Sequence, residues 1–225
     1  TFTPQQGQVM RGSPLVERLD EAGAVRPERV APAPDPRRDK VIAWARSKRS
    51  EVDANGIFLL RNGLNSDDAQ GRAEIARYQQ GTTGGWCSDF AMAALLESGV
   101  RPPGVPVGDD LAQPIHDTGQ LIAWARAHQR TIALDDLRPG DLMSYPPQGG
   151  AAGHTMIVTS VQRLAERTVV YAVGGDEHYG RGGPGRVYET ERALMPGTVF
   201  IDPYEPPSRL RELLGVLRRS LPIHD

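Results

Sequence analysis

The chain changes its hydrophobic pattern once, near its middle, and that change limits the possible folds more than any other feature. From about residue 38 to residue 128, apolar side chains recur at helical spacing, as in Val41, Ile42 and Ala45 or Phe90, Ala91, Ala94 and Leu95. From residue 142 onward the pattern breaks into short β-branched or aromatic runs at 142–145, 155–161, 168–173, 186–190 and 199–201, bounded by Gly and Pro. Helices first and strands second predict an α+β domain, a helical lobe packed on an antiparallel sheet, and exclude an alternating parallel α/β fold.

Within the first half, a helix is expected from about Arg38, with Val52 continuing its spacing. A second is expected over 66–79 with Ser66 or Asp67 as N-cap, a third over 87–98 ended by Gly99, and a fourth over 117–128. The pentapeptide Ile-Ala-Trp-Ala-Arg occurs at 42–46 and again at 122–126, which is too short to argue a structural repeat. Residues 1–38 carry Pro4, Pro14, Pro27, Pro32, Pro34 and Pro36 among few large apolar side chains, and read as an extended arm with one short helix near 15–22. Leu210, Leu213, Leu214 and Leu217 give 208–219 one apolar face. The expected organisation is therefore an arm over 1–38, a main domain over 39–205 and a C-terminal amphipathic helix over 206–225.

The 26 basic and 28 acidic side chains leave a net charge of −2, which argues against nucleic acid as a partner. No apolar run approaches the ~18 residues of a membrane span. The first residue is Thr, so an upstream piece, such as a signal peptide, has been removed or left out.

There is one cysteine, Cys87, so the chain can form neither an internal disulfide nor a Cys-rich zinc site. A lone cysteine by itself reads as a small buried hydrophobe. The context of Cys87 points elsewhere. It follows the turn Gly81-Thr82-Thr83-Gly84-Gly85-Trp86 and opens a predicted helix, where unpaired backbone N–H groups and the positive end of the helix dipole face the sulfur. The same N–H groups can stabilise an oxyanion. These are the conditions under which a thiol becomes a nucleophile.

A cysteine nucleophile needs a base. His154 opens the strand Gly153-His154-Thr155-Met156-Ile157-Val158, with a glycine before it that leaves space around the ring. His116, His128, His178 and His224 lie near helix ends, in a loop or at the C-terminus and are weaker candidates. The ring in turn needs a carboxylate or amide to hold its tautomer. If 168–173 pairs in a hairpin with 155–161, the end of the second strand returns to the level of His154, which selects Asp176, with Glu177 in reserve. Asp176, Glu177 and His178 with His154 can also be drawn as a metal site, but the chain has no His-Glu-x-x-His, so no metal or other cofactor is expected.

The order Trp86-Cys87-Ser88-Asp89-Phe90-Ala91, then Leu137-Arg138-Pro139-Gly140-Asp141, then Gly153-His154-Thr155-Met156, then Val173-Gly174-Gly175-Asp176 resembles the CHAP amidohydrolase/peptidases. The NlpC-type cell-wall peptidases, also papain-like, are similar. The resemblance covers about 78–203 and implies a papain-like fold in which Cys87 attacks an amide carbonyl, His154 carries the proton and Asp176 orients the ring. It departs from CHAP sequences where they often carry a Glu, at Gly174. It further implies a peptidoglycan or peptide substrate and a place in the periplasm, on the cell surface or outside the cell, with an inhibitor or immunity protein as partner if the protein is an injected effector.

Papain-like enzymes use an upstream Gln or Tyr in the oxyanion hole, and Gln80, Gln79 and Tyr78 stand at a suitable distance, or else simply make a polar helix end. Trp86 either walls the substrate cleft or belongs to the core. The glycine-rich loop 180–185 reads as a border of the cleft, with Arg181 and Arg186 placed to meet a substrate carboxylate. Two further functions fit the same residues: a non-catalytic wall-binding or scaffold domain, and a cysteine protease or deamidase acting on another protein.

Overall fold

The computed structural model describes residues 34–49, 63–103, 115–148, 153–177 and 185–204, and the backbone of 51–52 and 58–59. The described residues from Asp35 onward belong to one unit. The short helix near 15–22, the loop beyond residue 103, and the helix over 208–219 lie outside the described residues.

The first helix, α1, is Pro36–Ser47. It starts two residues earlier than the sequence predicts because Pro36 occupies the first helical turn and the Asp35 carboxylate accepts from Arg37 N–H at 3.0 Å as N-cap. Val52 does not continue it. That residue lies in β1, Glu51–Val52, which pairs with β2, Phe58–Leu59, in a two-stranded ribbon. Helix α2 is Ala69–Gln79, and its N-cap is Asp68, not Ser66 or Asp67. The Asp68 carboxylate takes Gly71 N–H at 2.6 Å, whereas the Ser66 hydroxyl accepts from Gly185 N–H instead.

Helix α3, Cys87–Glu97, is the centre of the domain. Its residues from Cys87 to Leu95 are all buried, and Ala91, Ala93 and Ala94 let neighbouring elements approach closely. A helix apolar around its whole girth has to be surrounded, and burying Phe90 and Leu95 contributes roughly 1.5–3 kcal/mol each. Helix α4, Thr118–Ala127, is N-capped by Asp117, whose carboxylate accepts from Gln120 N–H at 2.8 Å.

Six strands follow: β3 (Thr131–Ile132), β4 (Leu142–Tyr145), β5 (His154–Arg163), β6 (Thr168–Glu177), β7 (Arg186–Arg192) and β8 (Val199–Ile201). They form one antiparallel sheet in the order β3-β8-β4-β5-β6-β7. The four helices and this sheet make the α+β fold. Side chains alternate between its faces as a pleated sheet requires. Leu142, Ile157, Val173, Val187 and Ile201 join the helices in the main core. Met143, Met156, Val158, Val170, Ala172 and Phe200 pack on the other face, with Leu137.

The expected hairpin between β5 and β6 is present, with Met156 opposite Gly174 and Ile157 opposite Val173. Both strands run further than the sequence pattern indicates. β5 starts at His154, and β6 continues through Gly174 and Gly175 to Glu177, because β7 pairs along it as far as Glu177 opposite Arg186. Between Gly174 and Glu177 the register slips, a β-bulge, and Asp176 within it has φ of 59°. Asp is among the few non-glycine residues that enter this left-handed region readily.

Candidate active site

Three elements converge on the sulfur of Cys87. Helix α3 presents it from its first position, with Trp86 as an N-cap residue that makes no side-chain capping bond, so the first-turn N–H groups beside Cys87 have no capping side chain. The segment before β5 supplies the Gly153 carbonyl, 3.9 Å from the sulfur. Helix α4 supplies the Thr118 hydroxyl, also at 3.9 Å. Gly153 is demanded by this approach, because a Cβ there would sit 2.8 Å from the Tyr145 carbonyl oxygen and 2.9 Å from the Thr118 side chain.

His154 couples to the sulfur from the start of β5. Its Nε2 lies 2.8 Å from Glu177 Oε1, which leaves Nδ1 as the nitrogen free to serve Cys87. Burial pushes the Cys87 thiol up, but the His154 imidazole, the Thr155 backbone N–H and the Thr118 hydroxyl outweigh it, and the thiol falls below its ordinary value. Burial alone would lower the His154 pKa. Bonding to the sulfur and to Glu177 reverses this and raises it to about 9. Glu177 in turn is raised by burial and lowered more strongly by His154 and Arg192. The directions agree, and the arrangement can hold a thiolate beside an imidazolium at neutral pH.

The acid on the ring is therefore Glu177, and Asp176 goes elsewhere. Strict alternation from Gly174 would put residue 176 opposite His154. The bulge absorbs one residue and brings Glu177 to that face. Asp176 turns to the α3 side, where its Oδ2 accepts from Trp86 N–H at 3.3 Å. Gly174 makes room for the exchange. A Cβ at that position would lie 2.3 Å from Glu177 Oε1 and 3.0 Å from His154 Nε2.

The other residues singled out in the sequence are placed as follows. Trp86 is buried in the main core, edge-on to Phe90 at 6.1 Å, so its ring offers no open stacking face. Tyr78 is fully buried and its hydroxyl bonds to Glu74. The Gln79 amide donates to the Gly84 carbonyl at 3.0 Å. Gln80 is exposed and ends α2 in a left-handed conformation, with φ of 49°. Arg186 is buried and donates to Asp67 at 3.3 Å. His128 stacks on Trp124 at the end of α4. Arg181, His178 and His224 lie outside the described residues.

Sequence reasoning missed two features, the first of them beside the sulfur. Ser88, Thr118, Ser144 and Thr155, all buried, join their hydroxyls in a cluster with separations of 3.1–3.3 Å. Four isolated Ser/Thr residues from four elements carry no local signal. Asp89 is also buried, with His116 Nδ1 at 2.8 Å from Oδ1, and burial lifts its pKa to about 6 against the pull of that imidazole.

Among the described residues no helix is long and apolar enough to cross a membrane. No curated protein and no solved structure matches the chain. The family model of the CHAP domain matches residues 77–174, a stretch that includes Cys87 and His154 and ends three residues before Glu177. CHAP domains are usually hydrolases. The motif order, the α+β architecture and the model match agree: residues 77–174 are similar to the CHAP domain, consistent with a cysteine peptidase/amidase of the CHAP/NlpC-type superfamily.

Proposed function

We propose that the protein is a cysteine amidase or endopeptidase that cleaves amide bonds in bacterial peptidoglycan. The observation that carries this reading is the alignment of Cys87, His154 and Glu177 at the N-terminus of a buried helix, inside a domain whose relatives are often peptidoglycan hydrolases. In this reading the Cys87 thiolate attacks the amide carbonyl, and the developing oxyanion meets unpaired N–H groups of the first turn of α3. His154 gives the Nδ1 proton to the leaving amine, leaving a thioester on Cys87. It then takes a proton from water, whose oxygen displaces the sulfur and releases the acid. Glu177 keeps the ring oriented throughout. This places the orienting role on Glu177 and leaves Asp176 to the backbone of Trp86. Exposed Gln80 is the candidate contact for substrate, and Trp86 supports the site from the core. A wall substrate implies work in the periplasm, at the surface or outside the cell.

The test is incubation of the full chain with purified sacculi, with the products identified by mass. Release of muropeptides by the parent, and none by Cys87→Ala, is the expected result. Equal release by both would overturn the assignment, and binding without cutting would point to a scaffold role.

A further inference from the structure

We propose that Arg192 is a positioning residue of this site: it clamps Glu177 with both arms of its guanidinium, so that the ring of His154 is held with Nε2 toward the carboxylate and Nδ1 toward Cys87. The inference rests on the cysteine-hydrolase reading above and adds a fourth member to its array.

The register alone does not suggest this contact. Arg192 ends β7 opposite Val170, seven residues from Glu177 along β6. Its Nη1 nevertheless donates to Glu177 Oε2 at 3.3 Å, and its Nη2 to Oε1. Val170, Ala172 and Gly174 share one face by alternation, so the path from Arg192 to Glu177 runs over the small Ala172 and Gly174. The Arg192 side chain is 13% exposed, and the only carboxylate among the described residues that it pairs with is Glu177. A cation sheltered to this degree is costly unless matched by an anion. A two-armed contact from a planar fork fixes a carboxylate's orientation as well as its charge.

The groups facing one another are Cys87 from α3, His154 from β5, Tyr145 from β4, Glu177 from β6 and Arg192 from β7, with Asp176 on the α3 side at Trp86. Thiolate, imidazolium, carboxylate and guanidinium alternate in sign. Removing the guanidinium frees Glu177 to leave the ring and takes a positive charge from the array. Both effects weaken the thiolate.

The experiment measures iodoacetamide alkylation of Cys87 against pH in the full chain, which needs no substrate, together with kcat and KM on sacculi. Arg192→Gln is expected to move the acid limb of alkylation about one unit upward, a roughly tenfold slower reaction below it, and to lower kcat with KM little changed. Arg192→Lys should recover part of the loss. In a Glu177→Gln background, Arg192→Gln should add less than about twofold, because the two act as one unit. A folded Arg192→Gln protein with the parent's profile and kcat, or full additivity in the double variant, would overturn the proposal. Should Arg192→Gln not fold, Arg192→Lys decides: a profile and kcat equal to the parent's overturn it. An acid-limb shift in a protein that cuts no sacculi would support Arg192 and sink only the peptidoglycan reading. Parent Cys87 reacting no faster than free cysteine would overturn both.

Discussion

Two ionic arrays bracket the β4–β5 ladder, built from the same kinds of group. At the start of β4, Arg38 donates to Asp141 Oδ1 at 2.5 Å, to Asp202 Oδ1 at 2.9 Å and to the Pro139 carbonyl at 3.2 Å, with the Tyr204 ring 4.1 Å from the guanidinium. At the far end, where Tyr145 faces His154, stands the array of Cys87, His154, Glu177 and Arg192. Four residues of strand, ~13 Å, separate the two levels. The first is closed at its middle, where the Arg38 and Asp141 side chains are 8% and 0% exposed, and only Asp202 at its rim is reached by solvent. The second is open at its middle, with the His154 side chain 23% exposed. Asp141 stays bound to a cation that cannot release its proton, while Glu177 divides itself between one such cation and a ring that can. A staple becomes a reactive array when a titratable member is placed where solvent and substrate can reach it.

The contrast breaks most easily at the ring. His154→Ala should lower the cleavage rate at least ~10³-fold, measured by product release on protein shown to be folded by thermal unfolding. The parent's activity should fall as pH rises through about 9, where His154 loses its proton. Because that pKa is raised above the unfolded 6.5, the stability the ring contributes is complete below 6.5 and lost toward about 9. A decline centred near 6.5 would show the ring detached from Glu177.

At the closed array the loss should appear as stability. Asp141→Ala leaves Arg38 short of a buried partner and should cost about 3–5 kcal/mol in denaturant unfolding, while the protein still folded alkylates at Cys87 as before. Loss of alkylation in the folded fraction would show that the two arrays are coupled. Asp141 itself is lifted by burial to about 6 against the pull of Arg38, so it remains ionised at neutral pH.

The two adjacent acids sharpen the contrast further. Glu177→Gln keeps the shape but not the charge, and should slow cleavage roughly 10²-fold. Asp176→Asn takes the charge from the 3.3 Å contact to Trp86 N–H, and should change stability by about 1 kcal/mol or less with the rate nearly unchanged. A larger effect on rate from Asp176 than from Glu177 would reverse the assignment made from the geometry.

Much of this architecture could be read from patterns that are local. The helix from Cys87, the strand from His154 and the β5–β6 hairpin follow from apolar spacing, Gly stops and antiparallel return. Where local pattern and tertiary pairing part, the sequence reading slips. Val52 continues a helical spacing but pairs with Phe58 in a ribbon. Gly174 and Gly175 look like a turn, yet β7 holds them in strand. Alternation selects Asp176 for the ring and keeps Glu177 only in reserve, because it cannot foresee a bulge. Arg192 left no trace in sequence, since its contact depends on a path across a sheet face that no neighbour spacing encodes.

The bulge itself has a consequence for comparing chains of different length. Gly175 and Asp176 both lie toward α3, and only one residue is needed to carry the strand from Gly174 to Glu177 on the other face. Gly175 is thus a surplus position: a strand lacking it would run straight, with Asp176 still toward α3 and Glu177 still on the ring. The two acids keep their assignments at either length, so a chain without Gly175 would align with this one by sheet face, and an offset counted from the histidine would misassign the partner by one.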